Sequence, residues 1–139
     1  RRLCSECKIP YDPDDEILEE LGITREEVEE SDGQIYRQRE EGCDECLELG
    51  YSGRTAIFEI LTVDDHVRNL VTQEEDASVI KRAALDRKLM RTLRQDGALK
   101  VLQGETSIEE VLRVTREDTG DVEGTVDQMP SGDVPEAAE

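Results

Sequence analysis

The chain has 139 residues, enough for one domain or two small ones, with 35% hydrophobic residues, 3% aromatic and no Trp, so its core is modest. A net charge of −19 repels phosphate and sets direct nucleic-acid binding aside as a leading function. No apolar run approaches membrane-spanning length.

Residues 1–9 read as a short extended lead into the first of two cysteine pairs, Cys4-Ser5-Glu6-Cys7. Asp12-Pro13 predicts a helix start, with Asp as cap and Pro at the first helical position. Ile17, Leu18 and Leu21 give that helix its apolar edge, and Gly22 ends it. Thr24 and Glu27 form a capping box for the next helix, with Ile23 and Val28 at the two staple positions. Little else in it is apolar, so it reads as a surface piece. Residues 34–39 read as a short strand leading to the second pair, Cys43-Asp44-Glu45-Cys46.

After a turn-rich link, Arg54 to Val63 is the strongest strand signal in the chain. Its apolar residues do not alternate cleanly, which predicts cover on both faces. From Asp64 the period becomes helical. Val67, Leu70 and Val71 mark one helix, and Val79, Ile80, Ala83 and Ala84 a second. A third runs from Leu93 to Leu102, closed by Gly104. Thr106 and Glu109 make a capping box for a fourth, which carries Ile108, Val111 and Leu112. Residues 116–139 hold eight acidic residues and one basic residue and read as a disordered acidic tail. Without them the charge is still −12.

The cysteine pairs hold every cysteine in the chain. Two residues separate the thiols of each pair, so each tight turn can aim two sulfurs at one point. Two such turns suit tetrahedral zinc held by Cys4, Cys7, Cys43 and Cys46. A closed four-sulfur site has no open position, so the metal would hold structure rather than do chemistry. The alternative is two disulfides or idle thiols, but nothing reads as a secretory signal. Glu6, Asp44, Glu45 and Glu48 crowd the pairs and are expected to raise the thiol pKa values.

No catalytic constellation stands out. There is no G-x-x-x-x-G-K-[ST] loop and no G-x-G-x-x-G. His66, the single histidine, falls at a helix start and reads as exposed. Asp96-Gly97 interrupts the third helical pattern, for close packing, for a bend, or by simple tolerance. Lys81, Arg82, Arg87, Lys88, Arg91 and Arg94 form a basic run in an acidic chain. They could pair with the chain's own carboxylates. They could also face an acidic partner, a neighbouring subunit's nucleotide phosphates or anionic lipid.

The series resembles the C-terminal portion of the secretion ATPase E family, the motors of type II secretion and type IV pilus assembly. The residues that carry the likeness are Arg2-Leu3-Cys4-x-x-Cys7, Gly42-Cys43-x-x-Cys46, Gly50-Tyr51-x-Gly53-Arg54-Thr55 and Phe58-Glu59-Ile60-Leu61. Met90 to Gly97, Lys100 to Thr106 and Glu109 to Thr115 continue it. The resemblance implies a hexameric motor, cytoplasmic and peripheral at the inner membrane. Its ATPase core would lie upstream and use ATP and Mg2+. A four-cysteine zinc insert and a helical subdomain would be appended to that core. The implied partners are the other subunits of the hexamer and inner-membrane platform proteins, with no nucleic acid and no direct membrane span. Beginning at Arg1 and opening at once on a cysteine pair, the chain looks cut from something longer. It lacks the phosphate loop, so it is expected not to hydrolyse ATP by itself.

The expected fold is α+β: a four-cysteine zinc-knuckle module with short strands, then a small all-helical subdomain and the acidic tail. The divisions are 1–53 for the zinc module with its helical insert and 54–63 for a strand that would join the upstream core. Residues 64–115 would be the helical subdomain, and 116–139 the tail. The expected function is structural and coupling within the motor. The alternative is a free-standing zinc-binding adaptor for protein interactions.

Overall fold

The computed structural model describes residues 1–31 and 34–115. The acidic tail lies outside the described residues. Six helices and four short strands appear in the order β1 (Ile9–Tyr11), α1 (Asp15–Leu21), α2 (Arg25–Glu30), β2 (Ile35–Arg37), β3 (Ile60–Leu61), α3 (Asp65–Thr72), α4 (Ala77–Asp86), β4 (Met90–Arg91), α5 (Leu93–Leu102) and α6 (Ile108–Val114). Among the described residues no helix is long and apolar enough to cross a membrane.

The turn chemistry sets most boundaries. Gly22, at φ 82°, ends α1 by donating to the Glu19 carbonyl, while Ile23 donates to Leu18. Thr24 and Glu27 close the capping box of α2. Helix α1 begins two residues later than its first signal, because Asp12 turns aside to pair with Arg25 of α2. The cap of α6 is Ser107, whose hydroxyl accepts from the Glu110 N–H, and not Thr106. Thr106 is spent elsewhere: its hydroxyl donates to the Arg1 carbonyl at 2.7 Å.

Strands β1 and β2 pair antiparallel, Ile9 opposite Arg37 and Tyr11 opposite Ile35. Residues 1–3 and 51–53 form a second, narrow ladder. The Arg2 N–H donates to Gly53 at 3.2 Å, Ser52 donates to Arg2 at 2.9 Å, and Leu3 bridges Tyr51. Together with Cys4 N–H to the Gly50 carbonyl at 3.1 Å, this ladder is the neck through which the insert leaves and returns.

The region after Asp64 is not all helical. Met90 and Arg91 form β4 and pair with Ile60 and Leu61, the two residues of the predicted 54–63 strand that become β. A two-residue strand is too short to leave a period in the sequence. The cover that 54–63 calls for, which an upstream core would supply, does not come from the described residues, and the stretch stands open as expected of a strand cut from such a core. Phe58 is 59% exposed and Ile60 66% exposed.

The main core crosses the cysteine insert. Leu18 and Leu21 of α1, Ile23 and Val28 around α2, and Ile35 of β2 pack with Ala98, Val101, Ile108 and Val111 of α5 and α6. Helix α2 lies at the surface, as its sequence predicts, and reaches the core through the staple pair Ile23 and Val28, Val28 being its one buried residue. Gly97 explains itself here. A Cβ on it would lie 2.4 Å from Val111 Cγ1, so the missing side chain lets α5 and α6 approach.

Much of the basic run is answered within the chain. Lys81 pairs with Glu59 at 3.5 Å, Arg87 with Asp64 at 2.9 Å, and Arg91 with Asp96 at 3.5 Å. Arg94 donates to the Thr115 and Glu20 carbonyls.

Candidate metal centre

The four cysteines come together. Cys4 sits just past the neck, and the Lys8 N–H donates to its carbonyl at 3.0 Å, turning the chain so that Cys7 faces back. The second pair lies on a single turn of 3-10 helix, Asp44–Cys46, with the Cys46 N–H on the Cys43 carbonyl at 3.1 Å. Two glycines make this turn possible. At Gly42 (φ 59°) a Cβ would fall 2.3 Å from the Glu48 backbone, and at Gly50 (φ 68°) 2.5 Å from the Arg39 carbonyl.

All four sulfurs lie within 4.8 Å of one another. Cys4–Cys43 is 3.7 Å, Cys7–Cys46 3.8 Å and Cys43–Cys46 3.7 Å. A disulfide would hold its sulfurs at about 2.05 Å. A tetrahedron with metal–sulfur bonds of about 2.3 Å has sulfur–sulfur edges of about 3.8 Å. These three edges fit that figure. Cys4, Cys7 and Cys46 are buried and Cys43 half-buried. An all-sulfur, four-cornered, largely dry donor set fits zinc, or iron in the same geometry, and not the oxygen-seeking ions.

Backbone donors prepare the site for negative charge. The N–H groups of Cys43 and Gly50 both donate to the Cys46 sulfur at 3.1 Å. Burial pushes the Cys46 thiol up, but these donors outweigh it and bring it down to about 6. Cys7 has no such donor. Burial, with its sulfur neighbours, pushes it up to about 12. The shifts therefore come from burial, N–H groups and the neighbouring sulfurs, not from Glu6, Asp44, Glu45 and Glu48, whose side chains are exposed.

Several polar contacts near the site were not visible in the sequence. Tyr51 and Ser107 share a buried hydrogen bond of 2.8 Å. Lys8 donates to the Gly104 carbonyl at 2.9 Å and lies 4.1 Å over the Tyr36 ring. The Leu3 N–H reaches the Glu105 carbonyl at 2.8 Å. Buried Glu110 receives Arg1 at 2.7 Å and Arg113 at 2.6 Å. Burial alone would push its carboxyl up; the two guanidinium groups hold it well below the usual range. Only the Glu110–Arg113 spacing was visible locally; Arg1 lies 109 positions away. His66 is exposed in the first turn of α3.

The comparisons with known proteins follow the same span of chain. Residues 1–113 match the family described as type II/IV secretion system protein. The type IV pilus assembly ATPase PilB of Thermus thermophilus is 44% identical over 117 residues, covering 84% of this chain and 13% of that protein. The type II secretion system protein E of Pseudomonas aeruginosa is 42% identical over 118 residues, covering 85% of this chain and 22% of that protein. The type II secretion system ATPase E of Vibrio cholerae is 38% identical over 117 residues, 84% of this chain and 22% of that protein. The chain thus spans less than a quarter of the length of these relatives. Both cysteine pairs, the neck that flanks them and all but the last residue of the helices that complete the core fall within residues 1–113, and over that span the chain belongs to the type II/IV secretion system protein family.

Proposed function

We propose that this chain is the metal-holding and coupling part of a hexameric ATPase that drives type II secretion or type IV pilus assembly. Cys4, Cys7, Cys43 and Cys46 hold one zinc ion, whose work is to lock the insert and not to react. ATP and Mg2+ are bound by parts of the whole protein outside this sequence, which has no phosphate loop of its own. Residues 1–53 act as the metal module, 54–63 as the strand that meets the ATPase core, and 64–115 as the helical coupling part. The partners are the other subunits of the hexamer and the inner-membrane platform of the machine, reached from the cytoplasmic side without a membrane span. Nucleic acid is not a partner.

The observation that carries this reading is the grip of the neck on the α5–α6 loop. Leu3, Lys8, Tyr51 and Thr55 all bond to residues 104–107. A displacement at the neck therefore moves α6 with it. The test uses the whole protein and this chain side by side. The chain alone is expected to give no ATP turnover above a buffer blank. In the whole protein, Cys43→Ser is expected to abolish secretion or piliation while basal ATP hydrolysis persists. Normal secretion by that variant would sink the coupling role.

A further inference from the structure

The turn after the second cysteine pair carries two leucine side chains that the fold does not use. Leu47 and Glu48 both take left-handed backbone, at φ 53° and 62°. Glycine enters that region freely, and a bulky residue does so at a cost. The Leu47 N–H closes the turn onto the Asp44 carbonyl at 3.2 Å, a bond that glycine would make equally well. The side chain recovers nothing, being 80% exposed, and Leu49 two residues on is 65% exposed. A strained residue that is also apolar and solvent-facing points to use by a partner.

The charge around these leucines selects the partner. Glu40, Glu41, Asp44, Glu45 and Glu48 are all exposed, and residues 40–50 contain no basic side chain. None of the five appears among the ion pairs of the described residues. The tip is also stiff, because the Gly50 N–H is fixed to the Cys46 sulfur and the Glu48 N–H to the Cys43 carbonyl. A preformed contact surface lowers the ordering cost of binding.

We propose that Leu47 and Leu49 form a docking tip for a cationic amphipathic helix of a protein partner. The apolar face of that helix covers the two leucines, and its Lys or Arg residues meet the exposed carboxylates of residues 40–48. An anionic lipid surface is repelled by the same carboxylates. So is a second copy of this chain, which carries −19.

The experiment is a titration of the isotope-labelled chain, purified with its metal, followed by amide NMR shifts. The probe is a Leu/Lys peptide of about four helical turns with leucines on one face. A scrambled peptide of the same composition and phosphatidylglycerol vesicles are the comparisons. Saturable shifts confined to residues 42–50 are expected, with the scrambled peptide about tenfold weaker. Leu47→Ser with Leu49→Ser is expected to weaken the designed peptide about tenfold. Leu47→Gly separates docking from folding: it is expected to weaken the peptide while raising Tm by about 4 °C. A fall in Tm for Leu47→Gly would assign the residue to the fold and overturn the proposal. Shifts centred on Phe58 to Val63, equal binding of the scrambled peptide, capture by the vesicles, or Leu47-dependent self-association would each overturn it as well.

Discussion

Tyr51 and Ser107 meet in a buried hydrogen bond of 2.8 Å although 56 positions separate them. Ser107 also caps α6 by accepting from Glu110. One hydroxyl therefore serves both the neck and the start of the last helix. Tyr51→Phe should cost about 1 kcal/mol, since it removes one bond and leaves the cap in place. Ser107→Ala should cost about 2–3 kcal/mol, since it removes the cap and strands the tyrosine hydroxyl. Urea melts of the two variants give the comparison. Equal losses would mean that the cap contributes nothing.

Gly97 tests the approach of α5 to α6. By helix propensity alone Ala should stabilise α5 by about 1 kcal/mol. The 2.4 Å encounter with Val111 reverses that sign, and Gly97→Ala should lose about 1–3 kcal/mol. Val111→Ala makes room, so the double substitution should cost less than the sum of the singles. Additive losses in thermal melts would show that the crowding is not where the backbone places it.

Metal content is the direct test of the sulfur cluster. Elemental analysis of the reduced protein should give one zinc per chain and no iron. Cys46→Ser should bring the content near zero. Because the insert shares its core with α5 and α6, metal removal should loosen β1, α1, β2 and the α5–α6 contact together. Helices α3 and α4 contribute nothing to that core and should keep their amide protection. Unchanged protection at Ile35 and Val101 in chelator would count against a structural metal.

Glu110 has a pH signature. Its folded pKa lies below the ordinary 4.5 because Arg1 and Arg113 face it inside a buried setting. A carboxylate depressed in this way stabilises the fold fully above that ordinary value, and the stabilisation is lost as pH falls toward the depressed one. Glu110→Gln should therefore lower Tm most at pH 7. The gap should narrow progressively as pH falls below 4.5. A gap that stays constant down to pH 3 would assign the effect to packing.

The stretch from Arg54 to Glu59 should exchange its amides fast, because regular pairing begins only at Ile60. Phe58→Ser with Ile60→Ser should change the stability of this chain by no more than about 0.5 kcal/mol, since both side chains face solvent. Strong protection of residues 54–59 at low concentration would reveal cover that the chain supplies itself.

The cysteine spacing, Gly22, the Thr24–Glu27 box and the period of α5 and α6 were legible in the sequence because each rests on neighbours within a few positions. What failed was decided at a distance. Ile9 to Tyr11 pair with a strand more than twenty residues on, and three residues that include Pro10 carry no strand period. Thr106 lost its capping role to the Arg1 carbonyl. The Cys7 shift followed burial and the Cys46 shift the N–H groups of Cys43 and Gly50, not the exposed carboxylates, because a donor at 3.1 Å in a dry site outweighs an exposed charge.

The neck has a mechanical consequence. Arg1 to Leu3 and Tyr51 to Gly53 run antiparallel, so Arg1 and Arg54 lie at the same open end of the ladder. A force drawing those two residues apart peels it like a zipper, taking Arg2–Gly53 first, then Ser52–Arg2 and last Cys4–Gly50. Each rung gives way alone, so the ladder by itself resists little. The tear then reaches Cys4 and Cys46, where a metal held by the four sulfurs would join both sides and act as a rivet at the end of the seam.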